Sequence, residues 1–335
     1  MRKTRIAVLT GGDSVESPSS YDSARDVIKH LNRNRYDLFV VDVANDGWWV
    51  KNALDEEAIG KIDKATFTFM LNGERTGFDC VFIIMHGGAG ENGTIQGYFE
   101  QLKLPYTGSG VLTSALCTDK YKCKQFLAST TGIALPKGLL VNELNLTHGL
   151  QRAPIPCIVK PNGSGSSFGV SKVGNHADLK NSIELAMQFD HEVLLEEAIS
   201  GVEVTIGIMI TKNGEEYILP ITETRFKGEV FDTSSKLVQE NTQLITPAPL
   251  PEQQAQRCRK AALEVYKALD CRGLVRIDFI IMNGVPYFLE VNTIPGMMLK
   301  SSIPRQIQQS GIGLERFYDL VIEDAMTDIT KRVAV

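Results

Sequence analysis

The sequence lacks several features that would assign it to a class of protein at once. It contains no apolar run that approaches a membrane span, and its first residues, MRKTRIAVLTGG, lack a cleavable signal pattern. No two of its six cysteines form a C-x-x-C pair, so neither a zinc site nor a disulfide framework is expected. Its formal net charge of −5 provides no broad basic surface. We therefore expect a cytoplasmic protein with neither nucleic acid nor a membrane as its partner.

The chain is long enough for two or three domains, since it has 335 residues and a hydrophobic content of 43%. Buried strands are predicted at residues 6–10, 36–43 and 80–85, with helical sequence between the first two. This alternation predicts an α/β fold with an open parallel sheet, whose strand ends carry Glu16 and His86 into one crevice. The alternative for His86 is a histidine that only caps its strand.

The richest stretch in polar chemistry is predicted to be a β-hairpin, with strands at residues 275–282 and 287–291 and a turn at Asn283-Gly284. A plain two-residue turn would place Asp278 across from Leu289. A three-residue connection, or a bulge at Gly284, places Asp278 across from Glu290 instead. We prefer this second register because it separates an apolar face (Ile277, Phe279, Ile281, Tyr287, Leu289 and Val291) from a polar one (Arg276, Asp278, Glu290 and Asn292).

The polar face of this hairpin is a candidate metal site. Two carboxylates and an amide oxygen, from Asp278, Glu290 and Asn292, form a hard oxygen site that suits Mg²⁺ or Mn²⁺ shared with substrate phosphates. The alternative is a solvated sheet face whose charges pair with Arg276.

Three further segments carry groups that could bind a nucleotide. Lys160 ends a strand and is followed by the loop PNGSGSSFGV, which could wrap phosphates with its N–H groups or form a flexible hairpin tip. An acidic segment lies between apolar strands and could bind adenine and ribose, or be a simple turn; it contains Glu196, Glu197, Ile199 and Glu203. The polar residues 225–242 are predicted to form a mobile loop in which Lys236 binds phosphate.

Together these segments resemble the ATP-grasp superfamily and, within it, the D-alanine-D-alanine ligases. The motifs that carry the resemblance are GGDSVE at 11–16, MHGGAGENGTIQG at 85–97, LPYTGSGVLTSALCTDK at 104–120, IVKPNGSGSSFGVSKV at 158–173, VLLEEAISGVEVT at 193–205, RID at 276–278 and FLEVNTIPG at 288–296. The resemblance covers nearly the whole chain. It implies a Rossmann-like N-terminal domain at 1–116, a small central ATP-grasp domain at 117–212 and a C-terminal ATP-grasp domain at 213–335.

The resemblance also implies an activity and the residues that perform it. ATP would phosphorylate the carboxylate of one D-alanine, and the amino group of a second would attack the acylphosphate, for peptidoglycan precursor synthesis by a homodimer. The implied ATP-binding residues are Lys120, Lys160, Gly165, Ser166, Ser167, Glu196, Glu197, Ile199, Glu203 and Lys236, with two Mg²⁺ or Mn²⁺ ions held by Asp278, Glu290 and Asn292. The implied catalytic and substrate-binding residues are Glu16, Ser166, Arg276 and Ser301, together with His86, Gly296 and Ser302.

Three positions depart from the family pattern. Glu16 is followed by Ser17-Pro18-Ser19-Ser20 rather than E-x-x-V-S, and Leu237 follows Lys236 where a Tyr is common. Ser302 also stands where a bulky apolar residue is frequent. Two alternatives stay open for this reason: the same chemistry with another acceptor such as D-lactate or D-serine, and a nucleotide-binding homologue that has lost catalysis.

Overall fold

The computed structural model describes residues 2–165, 168–226 and 242–327 of the chain. Within these ranges, no helix is long and apolar enough to cross a lipid bilayer. The strands fall into three main sheets and one small hairpin.

The N-terminal sheet is built on the predicted parallel strands. β1 (Thr4–Gly11) lies between β2 (Tyr36–Ala44) and β7 (Cys80–Ile83), parallel to both. β3 (Gly47–Lys51) and β4 (Gly60–Lys61) extend the sheet with antiparallel pairing, and β5 (Phe69–Leu71) and β6 (Glu74–Thr76) form the separate hairpin. Ile6 to Leu9 of β1 are completely buried, which explains the unbroken apolar run.

Helices connect this sheet to the rest of the chain. α1 (Ser17–His30) follows β1, and α2 (Thr94–Gln101), α3 (Val111–Thr118) and α4 (Lys120–Thr130) follow β7, with a short 3-10 helix at Gly88–Gly90. Asp119 separates α3 from α4, because its extended backbone ends the first helix and its side chain caps the second by accepting from the Lys122 N–H.

The central sheet is antiparallel. Its strands are β8 (Gly138–Val141), β9 (Cys157–Pro161), β10 (Ser171–Val173) and β11 (Val193–Glu197), in the order β10-β9-β11-β8. A 3-10 helix at Glu143–Asn145 precedes α5 (Leu146–Arg152), and α6 (His176–Ala186) joins the same core, in which Leu179 and Ile183 are completely buried. This unit is therefore a helix-covered sheet with one open face.

The third sheet contains the remaining strands. These are β12 (Val202–Ile210), β13 (Glu216–Ile218), β14 (Thr222–Phe226), β15 (Thr242–Ile245), β16 (Val275–Met282) and β17 (Val285–Asn292). α7 (Glu252–Ala268) packs against this sheet. The expected boundary at residue 212 assigns β12 to the central domain, but β12 pairs with β14 and β16. The nine residues of β12 therefore belong to the third sheet.

The last two helices return to the N-terminal sheet. α8 (Ser302–Gln309) and α9 (Leu314–Met326) place Ile303, Phe317 and Tyr318 in one apolar cluster with β1 and β7. The ring of Tyr318 contacts that of Phe82 edge to face at 6.0 Å. The N-terminal and C-terminal parts of the chain therefore share a core.

The hairpin of β16 and β17 has the expected register, and Asp278 is paired with Glu290. The predicted origin of this register was wrong, however. Asn283-Gly284 is a plain two-residue turn with positive φ at both residues, and the irregularity lies between Asp278 and Phe279, where Leu289 is the extra residue of β17.

The position of this bulge also corrects the predicted apolar face. Ile277, Phe279, Ile281 and Val291 are buried as expected, but Phe288 of the outer strand is a core residue too, with its ring 6.1 Å from that of Phe279. Leu289 lines a cavity with Ile280, and Tyr287 is paired with Ile280. The bulge therefore keeps Asp278 and Glu290 in register while it returns Phe288 to the core.

Candidate active site

Two cavities meet between the three sheets. The first has a volume of about 480 Å³, and residues of the N-terminal part such as Ser14, Glu16 and Gly87 line it. The second, of about 620 Å³, lies between the central and third sheets and is lined by the predicted nucleotide residues Lys160, Glu196, Glu197, Ile199 and Glu203. Lys120, Ser164, Gly165 and Glu290 line both. A group bound in one cavity can therefore approach a group bound in the other at these four residues.

Lys120 is held where the cavities join. Its Nζ donates to the Ser164 carbonyl at 2.7 Å and lies 3.6 Å from Glu290 Oε2. Asn162, at the end of β9, fixes the start of α4: its Oδ1 accepts from the Tyr121 N–H and its Nδ2 donates to Asp119 Oδ1, both at 2.9 Å. The helix that carries Lys120 is thereby tied to the strand that carries Lys160.

Lys160 and Glu196 form part of a buried charge cluster. Lys160 Nζ lies 2.7 Å from Glu196 Oε2, and Lys124 pairs with the other carboxylate oxygen, Oε1. Burial opposes ionisation of Glu196, but Lys160 and Lys124 outweigh it and lower its pKa. The predicted adenine contact of Glu196 therefore has to share a carboxylate that two lysines already hold.

Lys124 is a residue that the sequence analysis missed. The available signal was its spacing, since it lies four residues after Lys120 and so on the same face of α4. A lysine on a helix is most often a solvated charge. Only the contact of Lys124 with Glu196 on β11 therefore identifies it as a residue of the site.

The predicted metal ligands do come together on one face of the hairpin. Asn292 Nδ2 is 3.3 Å from Asp278 Oδ2 and 3.5 Å from Glu290 Oε1. Arg276 donates to both oxygens of Asp278, with Nη2 2.8 Å from Oδ2, and Thr205 donates to Oδ1. The chain therefore aligns two carboxylates and an amide on the cavity side of β16 and β17.

Opposite charges surround Glu290 and keep it ionised. Burial raises the pKa of this carboxyl, but Lys120, Lys160 and Arg276 outweigh burial and bring the pKa to about 2. In the described ranges no group of three or more His, Cys, Asp or Glu side chains is arranged to hold a metal ion. The candidate metal site of Asp278, Glu290 and Asn292 is not such a group, because its third ligand would be an amide.

Glu203 lies on the neighbouring strand β12 and has the opposite tendency. Burial, followed by the charges of Asp278 and Glu290, raises its pKa to about 7. A carboxyl group with a pKa near neutral pH can ionise and then accept hydrogen bonds from a hydroxyl group, which is compatible with the predicted ribose contact.

Glu16 lies between two glycines of the first cavity. A Cβ at Gly165 would be 2.7 Å from Glu16 Oε2, and a Cβ at Gly87 would be 2.5 Å from the same atom. A side chain at either position would therefore displace this carboxylate. The close approach of three separate segments makes Glu16 a part of the cavity wall.

The imidazole ring of His86 is held by contacts within the protein. Its ring is 5% exposed and, among the described residues, is not part of either cavity lining. Nδ1 donates to the Ile294 carbonyl, and Nε2 is 3.0 Å from the Ser23 hydroxyl, which also accepts from the Met297 N–H at 3.2 Å. His86 therefore ties α1 to the residues on both sides of Gly296.

The predicted residues for the second carboxylate and the oxyanion lie next to this region. A Cβ on Gly296 would be 3.5 Å from Ser301 Oγ, so these two residues are neighbours. Ser302 is 8% exposed at the start of α8, and the linings that the described residues form include none of these three. Ser166, Ser167, Lys236 and Leu237 lie outside the described residues.

Known proteins share both the sequence and the fold of this chain. The profile of the D-ala D-ala ligase N-terminus matches residues 5–109, and that of the D-ala D-ala ligase C-terminus matches residues 139–323. The D-alanine-D-alanine ligase of Phocaeicola vulgatus is 39% identical over 98% of both chains. The corresponding ligase of Flavobacterium johnsoniae is 37% identical over 95% of this chain and 98% of its own.

Solved structures agree with these matches. The crystal structure of the VanG D-Ala:D-Ser ligase from Enterococcus faecalis has a TM-score of 0.85 at 29% identity and covers 97% of this chain and 100% of its own. The D-alanine-D-alanine ligase of Bacillus anthracis in complex with ATP has a TM-score of 0.78 at 30% identity, with coverages of 99% and 100%. The fold and cleft define an enzyme of the ATP-grasp class, which confirms the predicted fold. Within that class, the chain belongs to the D-alanine-D-alanine ligase family.

Proposed function

We propose that this protein is an ATP-dependent ligase that joins two D-alanine molecules and releases ADP and phosphate. The observation that carries the proposal is the junction of the two cavities at Lys120 and Glu290. The second cavity has the groups for a nucleotide. The first has the partly buried carboxylate of Glu16 in its wall, which is suited to an ammonium group. Phosphoryl transfer between them would occur where a fixed cation lies.

Each side of the junction supplies a different requirement of the reaction. Lys120 and Lys160 would offset the negative charge of ATP as a phosphoryl group passes to the D-alanine carboxylate. Ser164 and Gly165, beside Lys120, would bring backbone groups to the phosphates. The amino group of the second D-alanine would then attack the acylphosphate, and Arg276 and the Gly296 N–H would stabilise the resulting oxyanion.

The hairpin face also fits divalent cations. Asp278, Glu290 and Asn292 offer hard oxygen ligands, and the pKa of about 2 keeps Glu290 ionised and available. Asn292 donates from Nδ2 toward both carboxylates, and rotation of its amide would present Oδ1 to a cation at the same place. A divalent cation held by these residues would supply positive charge beside the transferred phosphoryl group. We propose these residues as its ligands, with two ions in the loaded enzyme.

The proposal extends to the cellular setting through family membership. The dipeptide product would supply peptidoglycan precursors in the cytoplasm, and the enzyme would act as a homodimer. Sedimentation equilibrium of the purified protein tests the oligomeric part.

An acceptor screen coupled to phosphate release tests the function. With ATP, Mg²⁺ and D-alanine alone, we expect release of phosphate and formation of D-alanyl-D-alanine, identified by mass spectrometry. Parallel reactions contain D-alanine with D-serine or D-lactate. Phosphate release only in those mixtures would assign another acceptor, and no release with any D-amino acid would indicate a homologue without ligase activity.

A further inference from the structure

One buried cation of the cleft has no role in the reaction described so far. The Lys124 side chain, at 6% exposure, is among the most buried charged groups in the described part of the chain, and it is not in the described lining of the cavity that Lys160 lines. A lysine is seldom buried unless it is paired. Its partner is Glu196 of β11, whose second oxygen binds Lys160.

The three side chains have a defined charge balance. Glu196 alone would neutralise Lys160, since their atoms lie 2.7 Å apart. Lys124 restores one positive charge to the group and occupies the oxygen that Lys160 leaves open. Burial, followed by the charge of Lys160, lowers the pKa of Lys124 to about 8, while Glu196 and Glu290 act in the opposite direction. At neutral pH the cluster therefore retains a net charge of about +1.

We propose that Lys124 is a positioning residue for the ATP phosphates, because it balances and orients Glu196 so that the positive charge of Lys160 is available in the cavity. Lys124 itself contacts Glu196 and not the substrate. This inference rests on the proposed function, since it assigns phosphate binding to Lys160. It concerns phosphate affinity, however, and can be measured without turnover.

The probe is inorganic tripolyphosphate, which carries the charge of the ATP tail but no adenine. Titration calorimetry measures its dissociation constant for the full chain and three variants. Lys124→Met should weaken tripolyphosphate binding by at least about tenfold, since Glu196 then pairs with Lys160 alone. Glu196→Gln should bind at least as tightly as the original protein. The double variant Lys124→Met with Glu196→Gln should recover most of the affinity that Lys124→Met loses.

This recovery separates a charge effect from simple damage to packing, because packing losses in the two single variants would add. Lys122→Met is the matched control: Lys122 lies on the same helix, is 66% exposed in its side chain, and pairs with Asp119. It should bind the probe like the original protein.

Additive losses in the double variant would overturn the proposal, as would unchanged affinity in Lys124→Met. If Lys124→Met does not fold, the other two variants decide. A large loss of affinity in Glu196→Gln overturns the proposal. Retained affinity in both Glu196→Gln and the double variant supports the proposal. In the ligase assay, Lys124→Met should raise the KM for ATP without raising that for D-alanine. Failure of the ligase assay with a normal tripolyphosphate response would refute the proposed function and leave this inference intact.

Discussion

Replacing Lys120 by Met tests whether its ammonium group joins the two cavities. The substitution keeps most of the length of the side chain and removes its charge. In the structure the Nζ atom lies 3.6 Å from Glu290 Oε2 and 2.7 Å from the Ser164 carbonyl, at the place where both cavities have a wall. A phosphate oxygen at a similar distance would have the same strength of attraction.

The expected loss follows from that distance. Two unit charges 3.6 Å apart interact by about 5 kcal/mol at an effective dielectric constant of about 20. Lys160 and the proposed metal site would share the phosphate charge, so the loss should be smaller, about 2–4 kcal/mol in transition-state stabilisation. This corresponds to a decrease in kcat/KM for ATP of roughly 30-fold to 1000-fold.

The assay is phosphate release at varied ATP concentrations, with circular dichroism to verify folding. Lys122→Met is again the control, because it removes a lysine two positions away whose side chain is mostly exposed. The control should stay within about twofold of the original enzyme, as expected for a surface charge. If Lys120→Met keeps kcat/KM within threefold, or if Lys122→Met falls as far, the junction does not depend on this ammonium.

Two carboxylates give further predictions. Glu290→Gln should reduce turnover by at least about a hundredfold while the fold persists, because the proposed metal site loses a charged ligand, and near-normal rates in the phosphate assay would remove that assignment. Glu203 has a pKa raised to about 7 in the folded chain, above its value of about 4.3 when unfolded. The unfolded chain therefore loses this proton first, and stability is lost as the pH rises from about 4 to 7. Glu203→Gln removes this loss of stability. Measured without ligands, the melting temperature of Glu203→Gln minus that of the original protein should therefore grow by about 2–4 °C between pH 5 and pH 8. A difference that stays constant over this pH range would contradict the burial of this carboxyl.

The sequence was sufficient for those parts of the site that depend on local pattern. Alternating side chains on β16 and β17 predicted that Asp278 and Glu290 share a face, and the structure confirms that pairing. The same pattern placed the irregularity at the wrong residue. A bulge at Gly284 and a bulge at Leu289 give the same pairing for Asp278, and only the packing of Phe288 against Phe279 distinguishes them.

Roles that depend on contact between distant segments were not accessible in this way. His86 follows a strand and precedes glycines, which suggested a substrate contact. Its position is fixed by Ser23 and Ile294, which are 63 and 208 residues away. Nothing in the local sequence around Ser23 or Ile294 indicates that the two residues meet at an imidazole ring. These contacts of His86 could therefore not be predicted from the sequence.

The arrangement of charge in the cleft explains why α4, the central sheet and the third sheet meet there. A buried lysine or carboxylate is costly by itself, so each one needs an opposite charge within reach. Lys120 on α4 meets Glu290 on β17, and Lys160 on β9 meets Glu196 on β11. Each pair holds a lysine at the cavity wall before any ligand enters, so little reorganisation is required when phosphate arrives. A lysine whose charge is fully neutralised attracts no phosphate. A cluster with one carboxylate therefore needs two lysines to keep a net positive charge. In the group around Glu196, that additional charge is Lys124.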